Sequence, residues 1–192
     1  MPVLINTRDR AHHLAWIITH LLAEQGVAAL TMRRIADASR LSTSSLVHHW
    51  GGKERLLGYA LVQTRDWRLE NIEDRVSREG VAAFLPCTAP NSYGTPDDSM
   101  VLARAWQAWR EHCRTQAAFA DTGARARRQE RWMLGRAIGG DLSDEQLDGA
   151  YALLEGLVLA VCAPVGPMPR ERAVALLEEH CELIRGRHPQ AS

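Results

Sequence analysis

This chain of 192 residues holds a single lysine, Lys53, among 23 basic side chains; every other one is arginine. Phenylalanine and tyrosine are scarce as well, at two and three, against six tryptophans. No stretch of useful length alternates β-branched with polar residues, which removes the usual signal for strands. The four cysteines, Cys87, Cys113, Cys162 and Cys181, stand 26, 49 and 19 residues apart, with no CxxC pair. That scatter argues against a disulfide framework or a zinc cluster and fits a reducing cytoplasm. Long apolar runs are missing. The uncharged stretch 156–169 is 14 residues with three prolines, too short and too broken to span a bilayer. The apolar stretch before Arg8 is too short for a secretory signal, so neither leader nor membrane partner is expected. Net charge is zero, 23 against 23, which argues against a basic nucleic-acid arm and an acidic tail.

Enzyme signatures are missing too. There is no GxSxG, P-loop, GxGxxG or HExxH. The pairs His12-His13 and His48-His49 are adjacent, so on a helix their side chains diverge by about 100° and suit one metal ion poorly. His112-Cys113 has no nearby third ligand. No catalytic residue, cofactor or metal site is expected.

What remains is helical. Hydrophobic residues make up 46% and charged ones 24%, a balance that supports a packed core rather than disorder. Leu, Ala, Arg and Glu dominate, and all favour helices. The first helix is expected over 8–25, capped by Thr7 and stopped by Gly26, with Leu14, Ile17, Ile18, Leu21 and Leu22 on one face. Short helices follow after Thr31 and after Ser42, then a long one from 52–53 to about 76 and a segment over 78–85. The stretch 86–96 reads as a loop ending in a helix start, with Thr95 as cap, Pro96 at the first position and Asp97 and Asp98 on the positive dipole end. The next helical region runs to about 138 with a break at 121–123, before Gly139-Gly140. Ser143 and Gln146 form a capping box for a helix to about 162, and a last helix spans 169–185. The fold class is therefore all-α.

Residues 31–50 carry the functional signal. Two short capped helices joined by a tight turn form a helix-turn-helix. Ile35 and Leu46 are apolar where the helices must meet, and Ala36 is small where they approach. The second helix offers Thr43, Ser44, Ser45, His48 and His49, short or planar polar groups able to reach base edges or phosphates. The local charge agrees. Residues 1–56 hold seven basic and four acidic groups and five of the eight histidines, while the rest of the chain is acidic by three. The zero net charge thus conceals a polarity suited to phosphate at one end.

The stretch Leu30-Thr31-Met32-Arg33-Arg34-Ile35-Ala36-Asp37-Ala38, with Leu41-Ser42, Leu46, His49-Trp50 and Lys53-Glu54-Arg55-Leu56-Leu57, resembles the TetR family of bacterial transcriptional regulators over residues 8–57. The C-terminal pattern Leu154-Glu155-Gly156-Leu157 is similar to the BetI-like group. The resemblance implies a DNA-binding domain at 1–56 and a larger helical ligand-binding and dimerisation domain at 57–192. It implies phosphate contacts from Thr31, Arg33 and Lys53, and base or phosphate contacts from Thr43, Ser44, Ser45, His48 and His49. It also implies a double-stranded operator, a small-molecule effector and, as the usual mode, repression. Three residues depart from the family: Arg40 stands where glycine is usual in the turn, Val47 where tyrosine is usual, and Trp50 where phenylalanine is usual. Arg40 is expected either to strain the turn or to adopt a left-handed conformation at a cost of about 1 kcal/mol. Arg40 and Val47 leave a second reading open, a helical ligand- or partner-binding dimer without specific DNA binding.

In the C-terminal half, Leu147, Tyr151, Leu154, Val158 and Val161 follow 4-3-4-3 spacing, and Leu153, Leu157 and Ala160 add a second apolar face. Val174, Leu177, Cys181 and Ile184 repeat the pattern. Two such helices suggest a homodimeric four-helix interface through the last two helices; the alternative is intramolecular core. Leu102, Trp106, Trp109 and Cys113 form another stripe. Trp67, Trp106 and Trp109 are candidates to line an apolar effector pocket with His112 and Tyr151 as polar handles, against the alternative of ordinary core.

Overall fold

The computed structural model describes residues 7–87 and 98–186. The expected cap by Thr95, Pro96 and Asp97 lies outside them. Among the described residues there are eight α-helices and no strand. They are α1 (Thr7–Gln25), α2 (Met32–Ser39), α3 (Thr43–Trp50), α4 (Lys53–Glu79), α5 (Ser99–Thr115), α6 (Ala117–Ile138), α7 (Asp144–Val161) and α8 (Arg170–Gly186). Two 3-10 turns join them, Val27–Ala29 and Gly80–Phe84. The segment expected as a helix over 78–85 is thus a 3-10 turn, preceded by an α4 that runs three residues further than its apolar pattern suggested. Among the described residues, no helix is long and apolar enough to cross a membrane.

The chain forms two compact units, residues 1–68 with 101–123, and residues 69–100 with 124–192. In the first, Leu14, Ile18, Leu22, Leu30, Ile35, Leu46, Leu56, Leu61 and Trp109 are buried. Full burial of each such side chain contributes about 1.5–3 kcal/mol, so this face of α1 holds the helix-turn-helix in place. Inside that core the hydroxyls of Thr19 on α1 and Thr64 on α4 lie 2.8 Å apart, and the indole N–H of Trp109 on α5 donates to Thr64 at 3.3 Å.

The expected break at 121–123 is not there. The chain turns instead at Gln116, whose N–H donates to the His112 carbonyl at 2.9 Å, and α6 passes straight through Asp121, Thr122 and Gly123. Gly123 serves close packing. A Cβ there would come within 3.0 Å of the Cys113 Cβ and 3.3 Å of its Sγ. Sequence spacing alone reads such a glycine as a helix breaker, whereas a neighbouring helix requires it.

The second unit is built on α7 and α8. The capping box is complete: Ser143 Oγ accepts from the Gln146 N–H, and the Gln146 side chain accepts from the Ser143 N–H. Gln146 Nε2 also donates to the Ile184 carbonyl at 3.0 Å, placing the start of α7 beside the end of α8. The two helices are therefore antiparallel. Tyr151, Leu154, Val158, Val161, Leu177, Cys181 and Ile184 are buried, so the stripes that drew attention in the sequence lie in this unit's own core. Two guanidinium groups hold the 3-10 turn. Arg75 pairs with Glu79 at 2.8 Å and donates to the Leu85 carbonyl; Arg170 pairs with the same carboxylate at 2.8 Å and donates to the Ala82 carbonyl.

Candidate nucleic-acid interface

Every end of the helix pair α2–α3 is fixed by a local device. Thr31 caps α2 in an extended conformation, and its Oγ1 accepts from the Arg34 N–H at 3.1 Å. At the far end Arg40 adopts φ 55° and ψ 31°, the left-handed one of the two outcomes its place in the turn left open. Leu41 N–H donates to the Ala36 carbonyl at 3.0 Å and Arg40 N–H to Asp37 at 3.4 Å, which is the pattern of a Schellman motif with arginine in the glycine position. Ser42 then caps α3, accepting from the Ser45 N–H at 3.0 Å, and its hydroxyl also meets that of Ser44 at 2.9 Å. Gly51 (φ 72°) closes α3 by donating to Val47, and Lys53 is the first residue of α4.

Leu46 is the buried residue of α3, and Ile35 and Ala36 are those of α2. These three apolar contacts leave the opposite face of α3 outward. On it Ser44 and His48 are exposed; Thr43 and His49, nearer the Leu46 side, are exposed too, and Ser45 is half-buried, while Thr31, Arg33 and Lys53 are exposed on the flanking elements. His48 and His49 stand edge to face, with ring centroids 5.3 Å apart. Val47 is exposed on the same face. The sequence marked it as a departure and gave it no role.

Trp67, Trp106, Trp109, His112 and Tyr151 fall into separate surroundings. Trp109 is fully buried, and Trp106 nearly so. His112 packs against Trp109 and Phe119, with centroids 5.7 and 5.1 Å away. Burial, and secondarily the Lys53 ammonium, hold its imidazole below the ordinary histidine value. Trp67 packs edge-on to Trp16 at 5.2 Å and lies 6.2 Å from His12, making a half-buried aromatic group with His20 that spacing did not foretell. Tyr151 belongs to the second unit, where its hydroxyl meets the buried Glu130 carboxylate at 3.1 Å and Arg127 lies 5.3 Å over its ring. Among the described residues no group of three or more His, Cys, Asp or Glu is placed to hold a metal ion.

A capped helix pair whose second helix turns a polar face to solvent is a helix-turn-helix, the architecture of major-groove readers. Residues 18–60 match the model of the bacterial regulatory proteins of the tetR family, a span containing this motif and the start of α4. The chain is 23% identical over 199 residues to the HTH-type transcriptional regulator PksA of Bacillus subtilis (strain 168), covering 96% of this chain and 94% of that protein. Its fold is similar to that of a putative TetR-family transcriptional regulator from Rhodococcus sp. The TM-score is 0.73 at 18% identity, over 92% of this chain and 99% of that one. It is also similar to the ketosteroid transcriptional regulator KstR2 of Mycobacterium tuberculosis. There the TM-score is 0.56 at 19% identity, over 94% and 95% of the two chains. The fold is thus that of TetR-type regulators, an N-terminal helix-turn-helix followed by a helical C-terminal region.

Proposed function

We propose that this chain is a ligand-responsive transcriptional regulator that binds a palindromic DNA operator as a homodimer and acts as a repressor in the cytoplasm. The capped α2–α3 pair with its polar outward face carries this reading. Residues 1–56 supply the DNA contacts. Thr31 Oγ1 accepts from Arg34 N–H and so keeps its own proton to donate to a phosphate oxygen. Arg33 and Lys53 neutralise phosphates, and the unpaired N–H groups at the start of α4 add to Lys53. Thr43, Ser44 and His48 face base edges, with Ser45 and His49 at the margins. Arg40 keeps the turn intact despite its side chain, so the absence of glycine is no obstacle to DNA binding.

Residues 57–192 serve effector binding and dimerisation. The dimer uses what the chain leaves uncovered on α7 and α8. On α7, Gly149, Ala152, Gly156 and Leu159 repeat at 3-4-3 spacing and are exposed, opposite the buried stripe. A Cβ added at Gly149 or Gly156 would meet nothing within 4 Å. Leu176 and Leu183 on α8 are exposed as well. Small residues on one helix and leucines on the next suit a close four-helix seam with a second copy. The effector contacts come from Trp67, Trp106, Trp109 and His112 in the first unit and from Tyr151 in the second, in the separate surroundings described above. An apolar effector fits their composition, and a regulator with this fold is described as a ketosteroid regulator. Likeness to the BetI-like group in the C-terminal region is part of the same proposal. A coupling of about 1–3 kcal/mol between effector and DNA would change occupancy 5–150-fold. Since α4 runs unbroken from Lys53 past Trp67, a shift along it reaches the DNA face.

A gel-shift titration with the DNA upstream of its own gene tests this. The expected result is a specific complex at low salt whose affinity changes with effector. Lys53→Gln should weaken it across sequences and lower the salt slope by about one for each protomer. A confirmed dimer giving no specific shift would overturn the reading in favour of a helical ligand- or partner-binding dimer.

A further inference from the structure

The outward face of α3 is polar except at one position. Val47 is 50% exposed, with Thr43 and Ser44 one turn before it and His48 beside it. It stands about 100° around the helix from the buried Leu46, and Ser44 and His48 flank the direction opposite Leu46. Its isopropyl group has no donor and no acceptor. It can bind neither phosphate nor the polar edge of any base. The major groove offers one apolar feature, the C5-methyl group of thymine.

We propose that Val47 reads a thymine methyl in each half-site of the operator, and so sets sequence preference at that position; this rests on the DNA-binding reading above. Three further features of the chain agree. A β-branched side chain in a helix has one strongly preferred χ1, so the isopropyl group is ordered before DNA arrives. In a helix a side chain leans toward the preceding turn, which sets Val47 over Thr43 and Ser44. Those neighbours are no longer than valine, so the N-terminal half of α3 can lie close to the floor of the groove. A longer side chain at this position would hold the helix back. The caps at Ser42 and Gly51 fix both ends of this eight-residue helix, so its approach does not depend on loop rearrangement.

The test removes the methyl and nothing else. A duplex bound by the wild-type protein is selected from a random pool, and each thymine in turn is replaced by deoxyuridine in both half-sites. Affinities are measured for wild type, Val47→Ala and Val47→Ser, each checked by circular dichroism for native helix content. At one thymine per half-site, deoxyuridine should weaken wild-type binding about fourfold, the effect of one buried methyl. It should leave Val47→Ala and Val47→Ser nearly unchanged, since neither retains the isopropyl contact. Wild-type binding that is indifferent to every thymine methyl would overturn the role of Val47 while leaving DNA binding in place. So would variants that keep the full deoxyuridine effect. Failure of the wild type to select any duplex would overturn the DNA-binding reading itself, and Val47 with it.

Discussion

The indole N–H of Trp109 donates to the hydroxyl of Thr64, 45 residues away in sequence, at 3.3 Å in a fully buried site. Thr64 lies 2.8 Å from the Thr19 hydroxyl, and each threonine also faces a carbonyl of its own helix, Ala60 at 2.8 Å and Ala15 at 2.9 Å. Two hydroxyl protons serve three oxygen–oxygen contacts, so one contact at any instant lacks a proton. Thr64 is the centre of the group, because it alone accepts from the indole.

Thr64→Val should therefore destabilise more than Thr19→Val. The first strands a buried N–H, costing about 1–3 kcal/mol, while the second leaves Trp109 satisfied and costs about 1 kcal/mol. Urea unfolding of both variants measures the difference, and equal losses would show that the indole bond contributes nothing.

Arg40→Gly tests the turn. Releasing a non-glycine residue from the left-handed region gains about 1–2 kcal/mol. The added freedom of glycine in the unfolded chain takes back about 0.5–1 kcal/mol. The net expectation is stabilisation of about 0–1.5 kcal/mol, read by chemical denaturation. A destabilised variant would mean that the guanidinium makes a contact worth more than the strain.

How far the sequence predicts this molecule follows the range of the forces concerned. The Thr31, Ser42 and Ser143 caps were legible, and so was Arg40 as the residue in the turn's glycine position, since each depends on residues within a turn of one another; which conformation Arg40 takes was not. Gly123 was misread because its meaning lies in Cys113 on another helix. The grouping of Trp16 with Trp67, and of Trp109 with Thr64 and Thr19, depends on how α1, α4 and α5 pack, and periodicity carries no such information. Apolar stripes on α7 and α8 were correctly seen. Which face of each is covered by this chain and which is left exposed required the structure.

Glu79 should make the second unit acid-sensitive. The Arg75 hydrogen bond holds its carboxyl below the ordinary 4.5, burial opposes this, and the charges of Arg75 and Arg170 add to the lowering. A depressed carboxylate contributes stability that is present above the unfolded-state value and lost as pH falls through the folded-state value. Glu79→Gln should remove that part of the pH dependence below about 4.5. It should also cost about 1.5–3 kcal/mol at neutral pH, because Arg75 and Arg170 both exchange a carboxylate partner for a neutral amide. Acid-unfolding curves of the two proteins check this; curves of identical slope would show that the pair is not linked to folding.

The neighbouring charges Lys53 and His112 give a prediction of the same kind with histidine. Burial is the larger cause of the lowered His112 value and the Lys53 ammonium the smaller. Lys53→Gln should thus move the His112 titration upward without restoring it fully, as followed by NMR of the imidazole. The sign for stability follows from the same linkage. With its folded value depressed, His112 contributes stability above the ordinary histidine range and loses it as pH falls through the folded value. Phosphate bound at Lys53 would screen the ammonium and should shift His112 in the same direction as the substitution. No movement with either would place Lys53 too far away to matter.

The uncovered face of α7 gives the last prediction. Leu159 is 62% exposed in the single chain, and Gly149 and Gly156 have open space before them. A charge on this face costs a monomer almost nothing, because the side chain remains in water. In a dimer seam it would be desolvated without a partner, at a cost of several kcal/mol counted on both copies. If the proposed dimer uses this face, Leu159→Glu and Gly156→Glu should dissociate it, seen by sedimentation equilibrium, and weaken binding to the proposed operator. Gly156→Ala supplies the graded case, since a methyl group is tolerated in the single chain and crowds only a close helix partner. Unchanged association in all three variants would move the interface off this face, and native circular dichroism in each would keep that conclusion free of folding effects.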